Sequence, residues 1–388
     1  MFVYTNIFSV AYILGVDISG TQNVYSLAEL ESAKILRNRI NREGAFCRTG
    51  ERDLRVLEAD DRLSGIDLPD RFHTYLCVEV ESFLAKEGVE FNEVLGVGLS
   101  VAGKVYEKDG DHFFIGGNTP KRFASRLQGK LYAINATHTL RSKYPDTPVF
   151  CANDCNCTAI AQSFVYGRGG VDPRKTFYVT ISTGFGGGGL NFEADELGHN
   201  VLFDLHPAVS LECSCGMRDC VEVYASGEGL VRLANRLLEV RQREFSVFSD
   251  FSGRFGADLI RLAEETSLKK DQFTTVDLFN AAESDGYARF ILDYAARLTA
   301  HVLVNAAQIH DLEVIGIGGG VGENQPGYVE LIDGYVQGIL VEGNRMLPNG
   351  LRVEVTPLGT SSNDWGALTL AVPEKYQGVW AEVISSSV

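Results

Sequence analysis

At 388 residues, with 45% hydrophobic and 22% charged side chains, the chain exceeds one comfortable core and reads as a globular protein of two domains. Its 51 acidic residues outnumber 35 basic ones, for a formal charge of −16, which argues against a nucleic-acid partner, since phosphate backbones are gripped by basic patches. No apolar run approaches a membrane span, and the 8 cysteines suit a reducing, cytoplasmic compartment better than a disulfide framework.

The apolar start, residues 1–14, has no basic segment ahead of it and reads as the approach to a first strand over 12–16, not as a secretory leader. Asp17-Ile-Ser-Gly-Thr21 breaks that run, and a strand pattern resumes around Val24 and Ser26. Residues 39–70 are charged and weakly periodic, and read as a surface insertion. Residues 95–100 predict a strand entering Val101-Ala-Gly-Lys-Val105. Residues 148–152 predict another, ending on Asn153-Asp154, with a helix over 158–166 stopped by Gly167. A β-rich run over 177–181 meets Ser182-Thr-Gly-Phe-Gly-Gly-Gly-Gly189, after which residues 190–192 resume the strand pattern. Helical periodicity fills 228–240, 258–265 and 285–308, while 241–275 as a whole reads as a second surface insertion. A buried strand over 314–317 leads into Gly318-Gly-Gly-Val-Gly322. The strand, glycine turn, strand unit occurs twice, which predicts a duplicated α/β fold with one copy per lobe.

Glycine turns after strands suit phosphate groups, because the bare backbone can approach an anion closely. In Asp17-x-Ser-Gly-Thr21, Thr21 adds a hydroxyl donor and Asp17 can hold Mg2+ through water; taken alone, the motif reads more readily as an ordinary hairpin turn. Ser182 to Gly189 is the stronger cradle, since its glycines promise free N–H groups. Gly318-Gly-Gly320 suits an adenosine face, or simply close helix packing. A Walker A sequence is absent, and no glycine run has the spacing of a dinucleotide fingerprint. Asn153-Asp154-Cys155-Asn156 lies between a strand and a helix start. A carboxylate there feels the positive helix end and can accept a proton from an attacking hydroxyl, or can serve as a plain N-cap. Cys151, Cys155 and Cys157 flank it and read as small buried residues.

The most specific constellation is Glu196-Leu-Gly-His199 followed by Cys213-Ser-Cys215-Gly-Met-Arg-Asp-Cys220 and Glu222. His199, Cys213, Cys215 and Cys220 make a closed tetrahedral Zn2+ set, with no open position for hydrolytic water, so the zinc is expected to be structural. The second ring nitrogen of His199 is then available to a substrate hydroxyl.

Together these residues resemble the ROK family of sugar kinases and sugar-responsive repressors, from about Gly15 to Gly366. Asp17-Ile-Ser-Gly-Thr21 and Ser182-Thr-Gly-Phe-Gly-Gly-Gly188 resemble its two phosphate motifs, and Gly318-Gly-Gly-Val321 its adenosine motif. Asn153-Asp154-x-Asn156 resembles its catalytic segment, while Glu196-x-x-His199 and Cys213-x-Cys215-Gly-x-x-x-Cys220-x-Glu222 resemble its sugar and zinc signature. The resemblance implies a two-lobed, actin-like (ribonuclease H-like, duplicated) sugar kinase fold with a central cleft. The N-terminal lobe would span 1–148, joined by about 364–388, and the C-terminal lobe 149–363. It implies ATP- and Mg2+-dependent phosphorylation of a hexose or N-acetylhexosamine at the 6-hydroxyl, with Asp154 as general base. Sugar contacts would come from Gly103, Asn118, Asn153, Asp154, Glu196, His199 and Glu222, and nucleotide contacts from Asp17, Gly20, Thr21, Thr183, Gly184, Gly186 and Gly319. A homodimer is also implied.

Some positions depart from the family pattern. Ser19 replaces a usual glycine and Gln22 a common lysine. The His199–Cys213 interval is long and contains His206, a possible substitute ligand. Asp219 stands where glycine is frequent, and Gly103-Lys104 looks closer to the N-acetylmannosamine kinase branch. Regulators of the family carry a helix-turn-helix ahead of this region, for which the position of Asp17 leaves no room; a non-catalytic sugar sensor is the remaining alternative.

Overall fold

The structure is a computed structural model that describes residues 11–18, 22–30, 46–53, 68–115, 126–127, 130–131, 133–190, 196–202, 209–243, 255–341, 346–359 and 362–387. Contacts divide the chain into two compact units: Met1–Pro173 with Gly188–Ala194 and Pro357–Val388, and Arg174–Gly187 with Asp195–Thr356.

The first unit contains β1 (Tyr12–Ile18), β2 (Gln22–Glu29), β3 (Phe46–Asp53), β4 (Val94–Val101), β5 (Lys104–Lys108), β6 (Asp111–Ile115), β7 (Arg126–Leu127), β8 (Lys130–Leu131), β9 (Ile134–Asn135) and β10 (Val149–Asn153). Its main sheet has the order β10-β4-β1-β2-β3. β1, β2 and β3 pair antiparallel, while β4 and β10 run parallel to β1. β1 is buried along both faces, so its apolar run does not alternate with polar residues. Leu14, Val16 and Ile18 meet the core on one face with Tyr75, Leu76 and Val80 of the Leu68–Glu87 helix. Ile13 meets Trp365, Leu368 and Trp380 on the other.

That second face is set by glycine. Gly15 and Gly98 are partners in the β1–β4 ladder. A Cβ on Gly98 would stand 2.1 Å from the Ala367 carbonyl oxygen, and one on Gly96 2.4 Å from that of Ala371. The Ser362–Leu370 helix therefore lies directly on bare backbone. Its Gly366 is equally tight against the Asp154–Arg168 helix, where a Cβ would meet backbone atoms of Cys157 and Thr158 at 2.7 Å.

Residues 46–53, expected as part of a surface insertion, form the edge strand β3, paired with β2 from Gln22↔Asp53 to Ala28↔Phe46. Phe-Cys-Arg-Thr-Gly-Glu-Arg-Asp carries no sustained apolar alternation, so its pairing comes from backbone hydrogen bonds that a hydrophobic pattern does not reveal. Within 241–275, the Phe255–Glu265 helix packs against Gly286–His310. The contact boundary lies at Pro173, beyond the 148/149 division expected from sequence. β10 is hydrogen-bonded to β4, and the Asp154–Arg168 helix packs on Ser362–Leu370, so both belong to the first unit.

The second unit is built on β11 (Thr176–Ile181), β12 (Phe185–Gly189), β13 (Val314–Gly318) and β14 (Arg352–Val355), in the order β12-β11-β13-β14. β13 runs parallel to β11 and β14 parallel to β13. This is the scheme of β2-β1-β4-β10: a strand turns back into its neighbour, and two later parallel strands add on the other side. Among the described residues no helix is long and apolar enough to cross a membrane.

Candidate functional site

In the first unit, Asp17 and Asn153-Asp154 sit at the carboxyl ends of β1 and β10, where ligands collect in parallel α/β sheets. Asp17 is buried and accepts a 2.8 Å hydrogen bond from the Ser100 hydroxyl on the adjoining β4. Burial pushes its carboxyl up to about 7; Ser100 opposes the shift, Asp154 and Asp364 add to it by repulsion, and Asn363 opposes it again.

Sequence left Asp154 open as a cap or as a base. The cap is Asn153, whose Oδ1 accepts from the N–H of Cys155 at 2.9 Å and Asn156 at 3.4 Å. Its Nδ2 donates to the Gly103 carbonyl oxygen at 3.0 Å, so Gly103, at φ 127 where only glycine is comfortable, locks Asn153 in place. Asp154 occupies the first helical position, with Oδ1 2.9 Å from the Cys155 N–H. Cys151, Cys155 and Cys157 are buried, and burial pushes the Cys151 and Cys157 thiols well up, away from a nucleophilic thiolate. Asn118, Ser19, Gly20, Thr21 and His206 lie outside the described residues.

In the second unit the glycine-rich motif is shaped differently from the expected loop. Only residues 182–184 turn, with the Ser182 N–H donating to the Gly184 carbonyl at 2.9 Å. The four glycines, Gly186 among them, form β12 itself. A Cβ on Gly187 would lie 2.6 Å from the Phe177 ring, so this glycine permits close packing rather than freeing an N–H. Thr183 and Gly184 stay in the turn. Glu222 bears on it: its Oε2 accepts from the Phe185 N–H at 3.2 Å and lies 3.1 Å from where a Gly184 Cβ would be. Gly319 opens the short Gly319–Asn324 helix at φ 80, with a would-be Cβ 2.5 Å from Thr180 Oγ1.

His199, Cys213, Cys215 and Cys220 converge, their ligand atoms all within 4.8 Å of one another. His199 Nδ1 lies 3.6 Å from Cys213 Sγ, and Cys215 Sγ 3.6 Å from Cys220 Sγ. A tetrahedral ion with Zn–S bonds of about 2.3 Å separates its sulfurs by about 3.8 Å, so the set fits zinc. His199 Nε2 is turned toward Glu196, 3.7 Å from its Oε2. Asp219 has φ 62, a left-handed conformation natural to glycine. Its carboxylate accepts from Ser210 Oγ and the Leu211 N–H, each at 3.0 Å, and from the Tyr224 hydroxyl at 2.5 Å. The aspartate thereby ties residues 210–211, ahead of Cys213, to the Cys220–Tyr224 segment.

Sequence reasoning missed Ser100, which donates to Asp17, and Asn363 and Asp364, whose polarity and charge act on its carboxyl. Ser100 had a faint signal as a polar residue at the end of a predicted buried strand. Asn363 and Asp364 had none: the resemblance brought about 364–388 to the N-terminal lobe, and only the fold sets the Ser362–Leu370 helix on β1.

The model of the ROK family matches residues 69–374. The chain belongs to the ROK family. The match begins beyond Asp17-Ile-Ser-Gly-Thr21, where Ser19 and Gln22 depart from the ROK pattern. A glucokinase from Halalkalibacterium halodurans is 29% identical over 185 residues, covering 45% of this chain and 49% of that protein. An N-acetylmannosamine kinase from Vibrio vulnificus is 26% identical over 208 residues, covering 51% and 58%. The chain thus spans about half the length of the curated relatives it matches. The solved ROK family glucokinase from Streptomyces griseus, in complex with glucose and AMPPNP, superposes with a TM-score of 0.57 at 22% identity, over 93% of this chain and 99% of that one. The fold is the two-lobed, actin-like α/β fold of ROK sugar kinases.

Proposed function

We propose that the chain is an ATP-dependent sugar kinase that phosphorylates a hexose or N-acetylhexosamine at its 6-hydroxyl, with Asp154 as general base. The observation that carries this reading is the division of labour at β10: Asn153, fixed by Gly103, caps the helix and leaves Asp154 at its positive end. Asp154 orients the attacking hydroxyl and accepts its proton, and the proton remains on its carboxyl as the phosphoryl bond forms. Asp17 would hold Mg2+ through water, and the ion would neutralise charge on the phosphates. Gly20, Thr21, Thr183, Gly184, Gly186 and Gly319 make the nucleotide contacts in this reading. Gly103, Asn118, Asn153, Glu196, His199 and Glu222 read the sugar. Zinc on the His199–Cys220 set would fix His199 through Nδ1, which leaves Nε2, on the Glu196 side, to meet a hydroxyl. A homodimer and a cytoplasmic location belong to the same proposal.

An ADP-release assay with Mg-ATP and a panel of glucose, N-acetylglucosamine and N-acetylmannosamine tests it. Turnover is expected with one or two of these sugars. Asp154→Asn should retain sugar affinity and lose kcat by about a thousandfold. Near-normal turnover in that variant removes Asp154 from the base role. A folded, zinc-loaded wild type that binds sugar and releases no ADP is a sensor, not a kinase.

A further inference from the structure

The run Val-Leu-Gly-Val-Gly-Leu-Ser-Val of β4 carries one polar side chain, Ser100, next to its carboxyl end. Side chains alternate between the faces of a strand, so Ser100 shares its face with Gly96 and Gly98, on which the chain at Ala367 and Ala371 rests. On β1 the same alternation puts Asp17 on the face of Gly15, which lies against Leu368. The register sets Asp17 directly beside Ser100, with Ala152 of β10 on the other side. Ser100 therefore stands on the strand between the one that holds Asp17 and the one that leads into Asp154.

Both partners are out of solvent, Ser100 at 0% exposure and Asp17 at 7%. The Ser100 hydroxyl donates to Asp17 Oδ1 at 2.8 Å. A buried carboxylate needs donors, and serine supplies a hydroxyl in the smallest side chain, which suits a face whose preceding positions are glycine. A hydroxyl has a single proton to give, and here Asp17 receives it. The donor is fixed by its surroundings. β4 is hydrogen-bonded to β1 on one side and β10 on the other, and a Cβ on Gly98 would already collide with the Ala367 carbonyl oxygen. The Ser100 backbone cannot shift away from Asp17 without moving the sheet.

We propose that Ser100 is a positioning residue for phosphoryl transfer: it anchors Oδ1 of Asp17 and leaves Oδ2 to take a water of the metal–nucleotide complex. The inference rests on the kinase reading for its setting. Hydrogen bonds that orient a metal-binding carboxylate govern metal affinity by about ten- to a hundredfold, and a carboxylate that works through water belongs at the lower end of that range. Ser100 acts through Asp17, so it governs the metal–nucleotide complex and leaves sugar affinity alone.

The test uses the full chain, loaded with zinc and kept reduced, as wild type, Ser100→Ala, Ser100→Cys and Asp17→Asn. Alanine removes the donor, while cysteine keeps the shape and offers only a weak one. Mn2+·ATP binding is followed by electron paramagnetic resonance, sugar binding by calorimetry, and kcat and KM for Mg-ATP by ADP release. Mn2+·ATP affinity should weaken about tenfold in Ser100→Ala and by most of that factor in Ser100→Cys. Asp17→Asn should weaken it at least as much. The sugar Kd should stay within about twofold of wild type in both Ser100 variants, a split that general loosening of the fold does not produce. A loss below about threefold in Ser100→Ala overturns the proposal, as does full affinity in Ser100→Cys, which would make Ser100 a packing residue. A parallel loss of sugar and nucleotide affinity overturns it too, and so does a loss greater than that of Asp17→Asn, since Ser100 would then act by another route. Should Ser100→Ala fail to fold, Ser100→Cys decides. A wild type that binds Mn2+·ATP but phosphorylates no sugar refutes the kinase reading alone, and the binding comparison still judges Ser100. A wild type that binds no Mn2+·ATP overturns both.

Discussion

The His–Cys set that would hold zinc and the carboxylate set are assembled in opposite ways. His199, Cys213, Cys215 and Cys220 come from one segment, joined by two isolated bridges, Val201↔Cys220 and Glu212↔Arg218, and by turn hydrogen bonds such as Cys213 N–H to the Met217 carbonyl. Asp17, Ser100 and Asp154 come from three remote places in sequence. They are held by a sheet register and by helices pressed onto glycine backbone. A chelate of nearby ligands takes its order from the ion, because binding energy and local folding energy are the same quantity there. A distributed cluster takes its order from the packed core behind it.

The largest effect expected from this contrast is on the zinc side. Cys220 is fully buried, and Cys220→Ser removes one ligand of the set. The variant should lose its zinc by elemental analysis and destabilise the 196–222 region by several kcal/mol. Protease nicking should concentrate there while the first unit stays protected. Wild-type protein that carries no zinc, or whose melting is indifferent to a strong chelator, breaks the comparison at its root.

The matching test on the other side is Gly98→Ala. The new methyl would stand 2.1 Å from the Ala367 carbonyl oxygen, too close for any rotamer to relieve, since the obstruction is backbone. A loss of about 3 kcal/mol is expected from overpacking, with full zinc content retained. Melting of zinc-loaded protein measures it, and elemental analysis separates it from the zinc defect. Stability unchanged from wild type would mean that the Ser362–Leu370 helix does not rest on β4.

These contrasts also explain what the sequence disclosed. The His–Cys cluster was legible because its members are neighbours along the chain. The strands β1, β4, β11 and β13 were legible because both-face burial writes an apolar run, and β10 with Asn153-Asp154 because there a strand gives way to a helix. The edge strand β3 was not, since its pairing lies in the backbone. The β12 glycines read as a loop, because one residue type serves a phosphate turn and close packing alike. The Asn363–Thr158 contact was invisible, as it exists only once the Ser362–Leu370 helix is packed on the Asp154–Arg168 helix. The family match likewise starts at residue 69, so the place of Asp17 in the fold comes from the β1–β4 register rather than from its motif.

The smallest effect separates packing from function at a single carboxylate. Asp17 has its pKa raised from 3.8 to about 7, chiefly by burial, with Ser100 and Asn363 stabilising the charge and Asp154 and Asp364 opposing it. Between these two values the folded protein holds a proton that the unfolded chain has released, so stability must fall as pH rises from about 4 to about 7 and then level off. Asp17→Asn stays neutral and keeps polar atoms for Ser100. In nucleotide-free protein its melting temperature should match wild type near pH 4, then exceed it increasingly up to about pH 7, by an amount worth no more than a few kcal/mol. In an ADP-release assay the same variant should lose activity, since an amide cannot hold the metal as a carboxylate does. A gap that is constant with pH would place the Asp17 charge in water rather than in the buried network, and the carboxylate set would then be no more dependent on packing than the zinc loop is.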